Sequence, residues 1–221
     1  MRKNSLTLAA VALITATLLA TTYHGTKDKI ETAQRELEQK TLLEIIPVEQ
    51  HSNDLLLDTE EIPEHFWPTL GLPEGGKVHI ARNENGAPSA VIFPAIAPDG
   101  YSGKIKMIIG LNIDGSIAGV RITEHGETPG LGDKVDLAKS NWVLGFDGKS
   151  LGNPSLNRWA VKKDGGDFDQ FTGATITPRA VINQISRALR YFQEDKKRLI
   201  QRATRSQSGI NNDEQGDSHG N

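Results

Sequence analysis

Three hydroxyl side chains and a glycine crowd the stretch Asp169-Gln170-Phe171-Thr172-Gly173-Ala174-Thr175-Ile176-Thr177, and Pro178 follows it. Beyond the proline, Val181, Ile182, Ile185, Ala188, Leu189 and Phe192 recur at three- and four-residue spacing, with Arg187, Arg190 and Gln193 on the opposite face. That is the period of an amphipathic helix. The threonines therefore stand at a helix N-terminus, with Thr177 expected as the N-cap and Pro178 at the first helical position. Free N–H groups and the positive end of the macrodipole favour an anion there by ~0.3–1 kcal/mol, and a phosphate is the obvious candidate. The plainer reading makes the threonines caps and Gly173 a turn residue. The residue types alone leave both open.

A second stretch, Glu124-His125-Gly126-Glu127-Thr128-Pro129-Gly130-Leu131-Gly132-Asp133-Lys134, sets glycines around Thr128 and Leu131. As structure, Thr128-Pro129-Gly130 is a turn that the glycines permit. As chemistry, the glycines let backbone N–H groups approach a phosphate or a ring, Thr128 donates a hydrogen bond, and Leu131 packs on the ring beside Gly132. The G-x-G-x-x-G spacing is absent, so this is no dinucleotide fingerprint.

The run Asp-x-x-Thr-Gly-Ala-Thr resembles the flavinylation motif of the FMN-binding domain family, whose final threonine, Thr175 here, carries FMN as a phosphoester. Thr172 stands where serine is common and keeps the hydroxyl. Glu-Thr-Pro-Gly-Leu-Gly resembles a second block of the same family. The chain as a whole resembles the G subunits of Rnf (Rsx) electron-transport complexes, relatives of the C subunit of the sodium-translocating NADH:quinone reductase. The run from Gly130 to Lys134 followed by Ser140-Asn141-Trp142-Val143 is closer to the Rnf type.

That resemblance implies FMN as cofactor, bound covalently by Thr175 and contacted by Thr172, Gly173, Ala174, Thr177, Thr128, Leu131 and Gly132. It implies other membrane subunits of the complex as partners. Electrons would pass between NADH and a ferredoxin-like acceptor, coupled to ion movement. A threonine hydroxyl is a weak nucleophile, and the resemblance implies a dedicated flavin transferase using FAD and a divalent metal. A phosphate linkage leaves the isoalloxazine ring unmodified, so its surroundings set its potential. The expected role is an electron carrier without an independent active site. Two other readings are an anchored scaffold whose threonines are mere caps, and a free-standing exported flavin reductase with its own substrate. Trp142 and Trp159 are candidates to stack on the ring or to fill the core. Lys162 and Lys163 either screen a phosphate or are solvated.

The elements that must position these residues follow from the rest of the chain. Its 221 residues suit one domain with appendages. A net charge of −3 carries no footprint of nucleic-acid binding. With no cysteine, disulfides and cysteine-ligated iron–sulfur clusters are excluded. The six histidines are scattered, and no metal site is expected.

Arg2 and Lys3 precede an uncharged run from Asn4 to Thr26, long enough to cross ~30 Å of hydrocarbon, which takes ~20 residues. The expected reading is a retained single-pass anchor over 1–26 with the basic end in the cytoplasm. A cleaved signal peptide is the competing one. In a bacterium with two membranes this places the domain on the periplasmic side of the inner membrane. Residues 27–76 read as a stalk helix ended by Pro47, then an irregular, proline-rich connection.

The FMN-binding domain is expected over 77–203, with strands at Lys77–Arg82, Ala90–Phe93 and Ile105–Ile113. Pro94 and Pro98 break the pattern after Phe93. Asp114-Gly115 signals a type I′ turn into a strand from Ser116 to Thr123, and Asn157–Lys162 reads as a further strand. Hairpins first and a long helix last indicate an α+β fold with a largely antiparallel sheet and flanking helices. Residues 204–221 read as a disordered tail.

Overall fold

The computed structural model describes residues 2–216. The chain divides into two compact units, residues 1–41 and 42–221. The first unit is helical. It forms most of α1 (Arg2–Ile45), an unbroken helix through both the expected anchor and the expected stalk. The threonines within it return their hydroxyls to the helix: Thr15 donates to Val11 O at 2.9 Å, Thr17 to Leu13 O at 2.8 Å and Thr22 to Leu18 O at 2.8 Å. Among the described residues, no helix is long and apolar enough to cross a membrane.

The second unit is an α+β domain built on one five-stranded antiparallel sheet in the order β1-β2-β3-β4-β5. The strands are β1 (Thr59–Glu61), β2 (Lys77–Arg82), β3 (Pro88–Gly100), β4 (Gly103–Asn112) and β5 (Ile117–Glu124). Period-two alternation sorts the side chains. Phe93, Ala95, Ile105, Met107, Ile109 and Leu111 face one core, while Ala90 and Ile92 face the other, with Ile108 packed against it. The terminal helix shares the first core through Val181, Ile182, Ile185, Ala188, Leu189 and Phe192, the stripe expected from the sequence. Burying each of the larger ones contributes ~1.5–3 kcal/mol relative to exposure. This helix (Ile176–Gly216) is α3, after the short α2 (Trp67–Leu70).

The second core is closed by Leu42, Ile45, Ile46 and Leu55. Gly110 and Gly119 are paired across β4 and β5, and a Cβ on Gly110 would collide with Ile45 Cγ2. The two glycines make the socket that seats Ile45. The compact domain thus takes in residues from Leu42 onward, including β1 and α2, where an irregular connection up to residue 76 was expected.

Four expectations are corrected. β3 runs straight through Pro94 and Pro98. β2 pairs with β3 only as far as Ile92, so Pro94 lies past that ladder and its missing N–H breaks none of those pairs. Asn157–Lys162 is no strand. Short 3-10 turns at Leu156–Arg158 and Lys162–Asp164 flank a single bridge from Val161 to Phe168. The β4–β5 turn is not type I′, because only Gly115 (φ 96°) has a positive φ there. Asp114 instead accepts from Ser116 N at 2.8 Å and Ser116 Oγ at 2.7 Å. Finally, α3 continues past Arg202 to Gly216 across much of the expected disordered tail, and residues 217–221 lie outside the described residues.

Candidate functional site

β5 ends at Glu124, opposite Lys106, whose Nζ lies 2.7 Å from the Glu124 carboxylate. The chain then leaves the sheet and folds back along the β3–β4 hairpin tip. Glu127 is the residue that fixes it there. Its carboxylate is buried at 4 % exposure. One oxygen accepts from Ser102 N at 2.9 Å. The other accepts from the Thr177 hydroxyl, itself wholly buried. One donor is backbone and the other a side-chain hydroxyl, so a single carboxyl group joins two separate segments. Beyond Glu127 the N–H groups of Leu131 and Gly132 converge on Thr128 O, each at 3.1 Å, winding the loop into the 3-10 turn Gly132–Val135.

The threonine-rich stretch reaches the same place from the other side. Phe171-Thr172-Gly173-Ala174 is a tight turn closed by Ala174 N on Phe171 O at 3.2 Å. Gly173 takes φ 80°, the conformation that the third residue of a type II turn requires and that glycine adopts without strain. Trp142 holds the turn from behind. Its Nε1 donates to Asp169 O at 2.8 Å, and its ring meets Phe171 edge-on at 5.1 Å. Trp159 lies deeper, buried against Phe146 and Phe168. It is a core residue.

α3 begins at Ile176, so Thr175, not Thr177, precedes the first helical residue, and Pro178 is the third. The expected cap is thereby corrected. Thr177 lies inside the first turn with its hydroxyl committed to Glu127, whereas Thr175 O accepts from Arg179 N at 3.4 Å as an N-cap carbonyl does. Thr175 is half-buried, and among the described residues its hydroxyl has no hydrogen-bond partner.

Most of the expected site residues come together. A Cβ on Gly173 would lie 3.5 Å from Leu131 Cδ2, and a Cβ on Gly132 would lie 2.8 Å from both Glu127 Oε2 and Thr177 Oγ1. Thr172 is exposed and Ala174 half-buried beside them. Thr128 serves through its carbonyl, and its side chain is exposed. Two of the flanking cations are occupied, while Lys163 is exposed. Lys162 Nζ sits 2.7 Å from Asp169 Oδ1. Arg179 forks onto Asp164 at 2.5 and 2.7 Å, and that hydrogen bonding holds the Asp164 carboxyl below its ordinary range. What remains for an anion at Thr175 is the helix end itself, whose first N–H groups have no intrahelical partner.

The arrangement fits a phosphoryl group on Thr175: a free hydroxyl, an open glycine turn before it and a helix N-terminus after it. Sequence reasoning did not identify Glu127 or Ser102 as parts of the site. Nothing local to a Gly-Glu-Thr-Pro loop marks its carboxylate as buried.

Residues 100–190 match the FMN-binding domain family and residues 1–45 the RnfG N-terminal region, and FMN is the cofactor of this domain. The chain is 48 % identical over 200 residues to the G subunit of the ion-translocating oxidoreductase complex of Pseudomonas aeruginosa, covering 90 % of this chain and 92 % of that one. It is 45 % identical over 212 residues to the protein of the same name from Shewanella amazonensis, covering 96 % and 97 %. In fold it is similar to the crystal structure of Shewanella oneidensis NqrC. The TM-score is 0.54 at 21 % identity, over 76 % of this chain and 98 % of that one.

Proposed function

This chain belongs to the family of G subunits of ion-translocating oxidoreductase complexes, and on that premise we propose that it is the electron-relay subunit of such a complex, with FMN esterified to Thr175. The observation that carries the attachment is the division of labour among the threonines. Thr177 is spent on Glu127, while Thr175, two residues away at the head of α3, keeps an unengaged hydroxyl. In the attachment step, Thr175 Oγ1 forms the new P–O bond to the FMN phosphoryl of FAD. AMP leaves with the bonding pair, and the hydroxyl proton passes to solvent. A flavin transferase is the partner that supplies FAD and metal for this step.

Bound FMN supplies one- and two-electron redox chemistry on its ring. The chain's own residues support a relay and not a substrate site. Glu127, the carboxylate that joins the loop to α3, is buried and hydrogen-bonded on both oxygens by Ser102 and Thr177, the setting of a structural tie. Leu131, against the Gly173 turn, gives the ring an apolar contact. The other subunits of the complex are the electron donor and acceptor.

The N-terminal half of α1 is proposed as a single-pass inner-membrane anchor with the domain on the periplasmic side. Support comes from the uncharged run Asn4–Thr26 after Arg2 and Lys3. The threonine hydroxyls turned onto their own helix carbonyls remove the cost of placing them in lipid.

The relay is tested on the full chain, flavinylated and purified in detergent, by redox titration and by steady-state turnover with NADH. A reversible titration with negligible NADH oxidation is expected. Rapid NADH oxidation by this chain alone contradicts the relay. For the anchor, protease added to spheroplasts should digest the domain, and a protected domain overturns the orientation.

A further inference from the structure

β3 and β4 run on past the rest of the sheet. Their last pair is Gly100 with Gly103, whereas β5 stops at Glu124 opposite Lys106. The overhanging tip carries Tyr101, which is 68 % exposed. The tip does not stand free of the site, because Ser102 N donates to Glu127, and a Cβ on Gly126 would lie 3.5 Å from Ser102 O. The same Glu127 carboxylate holds Thr177. One buried group thus ties together three separate segments, and each presents an exposed apolar side chain: Tyr101 on the tip, Leu131 (41 %) on the loop and Ile176 (46 %) at the head of α3.

A singly exposed leucine or isoleucine needs no explanation. Three on segments locked to one carboxylate, one of them the residue that follows a threonine with an unengaged hydroxyl, do. We propose that Tyr101, together with Leu131 and Ile176, forms the seat of the isoalloxazine ring, Tyr101 being the aromatic contact. This rests on FMN being attached at Thr175. Tyrosine suits the position. It offers a flat apolar face to a ring while its phenol end stays in water, and its backbone is pinned through Ser102. Tyr101 is thus a cofactor-positioning residue that neither threonine-rich nor glycine-rich motif contains.

The test reads ring contact directly. A phenol touching a flavin quenches its fluorescence. The excited flavin takes one electron from the phenol, and its return restores both ground states, so nothing is consumed. Full chain is produced with a flavin transferase as wild type, Tyr101→Phe and Tyr101→Trp, and flavin content is first read by intact mass. Trp142 adds the same decay rate in all three proteins, so the contribution of residue 101 is read as the difference between reciprocal lifetimes. At equal flavin content, Tyr101→Phe should lengthen the flavin lifetime several-fold and Tyr101→Trp should shorten it. Superimposable decays in the three proteins overturn the seat while leaving the attachment standing. A wild-type chain without flavin mass overturns the attachment, and the seat with it.

Discussion

The hydroxyl of Thr177 and the carboxylate of Glu127, 50 residues apart in the chain, meet in a hydrogen bond that is buried on both sides. This bond converts two short motifs into one site. Glu127 holds the glycine-rich loop to the hairpin tip through Ser102, and Thr177 holds the head of α3 to that loop. The turn bearing Thr172 and Gly173 leads into Thr175 at the head of α3.

Breaking the lock from one side strands a buried polar group, which costs ~1–3 kcal/mol and more when the group is charged. Thr177→Val should therefore destabilise the domain more than the ~0.5–2 kcal/mol of a lost N-cap. Combining it with Glu127→Gln should cost less than the sum of the two. A coupling above ~0.5 kcal/mol in a urea double-mutant cycle is expected. Strict additivity means that the two side chains do not meet.

Gly132→Ala and Gly130→Ala separate packing from backbone strain. A Cβ at Gly132 would press on Glu127 and Thr177 at 2.8 Å, whereas at Gly130 (φ 78°) it would meet open space. Gly130→Ala should cost ~1–2 kcal/mol through its left-handed backbone and leave flavin content near wild type. Gly132→Ala should cost ~1–3 kcal/mol by overpacking and lower flavin content as well. Chemical denaturation with flavin quantified per chain checks both.

Much of this was legible in the sequence, for reasons that are local. The β4 alternation and the α3 stripe each reflect one face turned to one core. The threonine and glycine clusters fell where the structure brings them together. What escaped depends on distant partners. Thr177 looked like a cap because a threonine before a proline usually is one, and only Glu127 from another segment reveals otherwise. Pro94 looked like a strand breaker because the sequence does not show where β2 stops pairing. Residues 48–76 looked like a connection because β1 has three residues and takes its order from β2.

Tyr191 gives the domain an alkaline signature. It is buried in the α3–sheet core, edge-on to Phe66 and Phe93 at 4.9 and 5.0 Å, and among the described residues its hydroxyl has no hydrogen-bond partner within hydrogen-bonding geometry. Burial first, and the Asp195 carboxylate second, push its ionisation well above that of an ordinary phenol. Because the folded-state value is raised, the unfolded chain loses the proton first. Its contribution to stability is complete below pH ~10 and declines above it, by up to ~1.36 kcal/mol per pH unit. Tyr191→Phe should be neutral or stabilising at pH 7 and should flatten the loss of stability above pH ~10. An unchanged alkaline slope counts against the buried phenol.

The central claim is that the unengaged hydroxyl of Thr175 is the point of flavin attachment. It is tested by intact mass, with peptide mapping, of the chain produced alongside a flavin transferase. The wild-type chain should gain the mass of one FMN less one water on the peptide containing Thr175. Thr175→Ala should show no gain while unfolding at the wild-type denaturant concentration, because its hydroxyl bonds nothing in the fold. A Thr175→Ala chain that still carries covalent flavin, or a wild-type chain with the added mass on Thr172 or Thr177, would contradict the assignment.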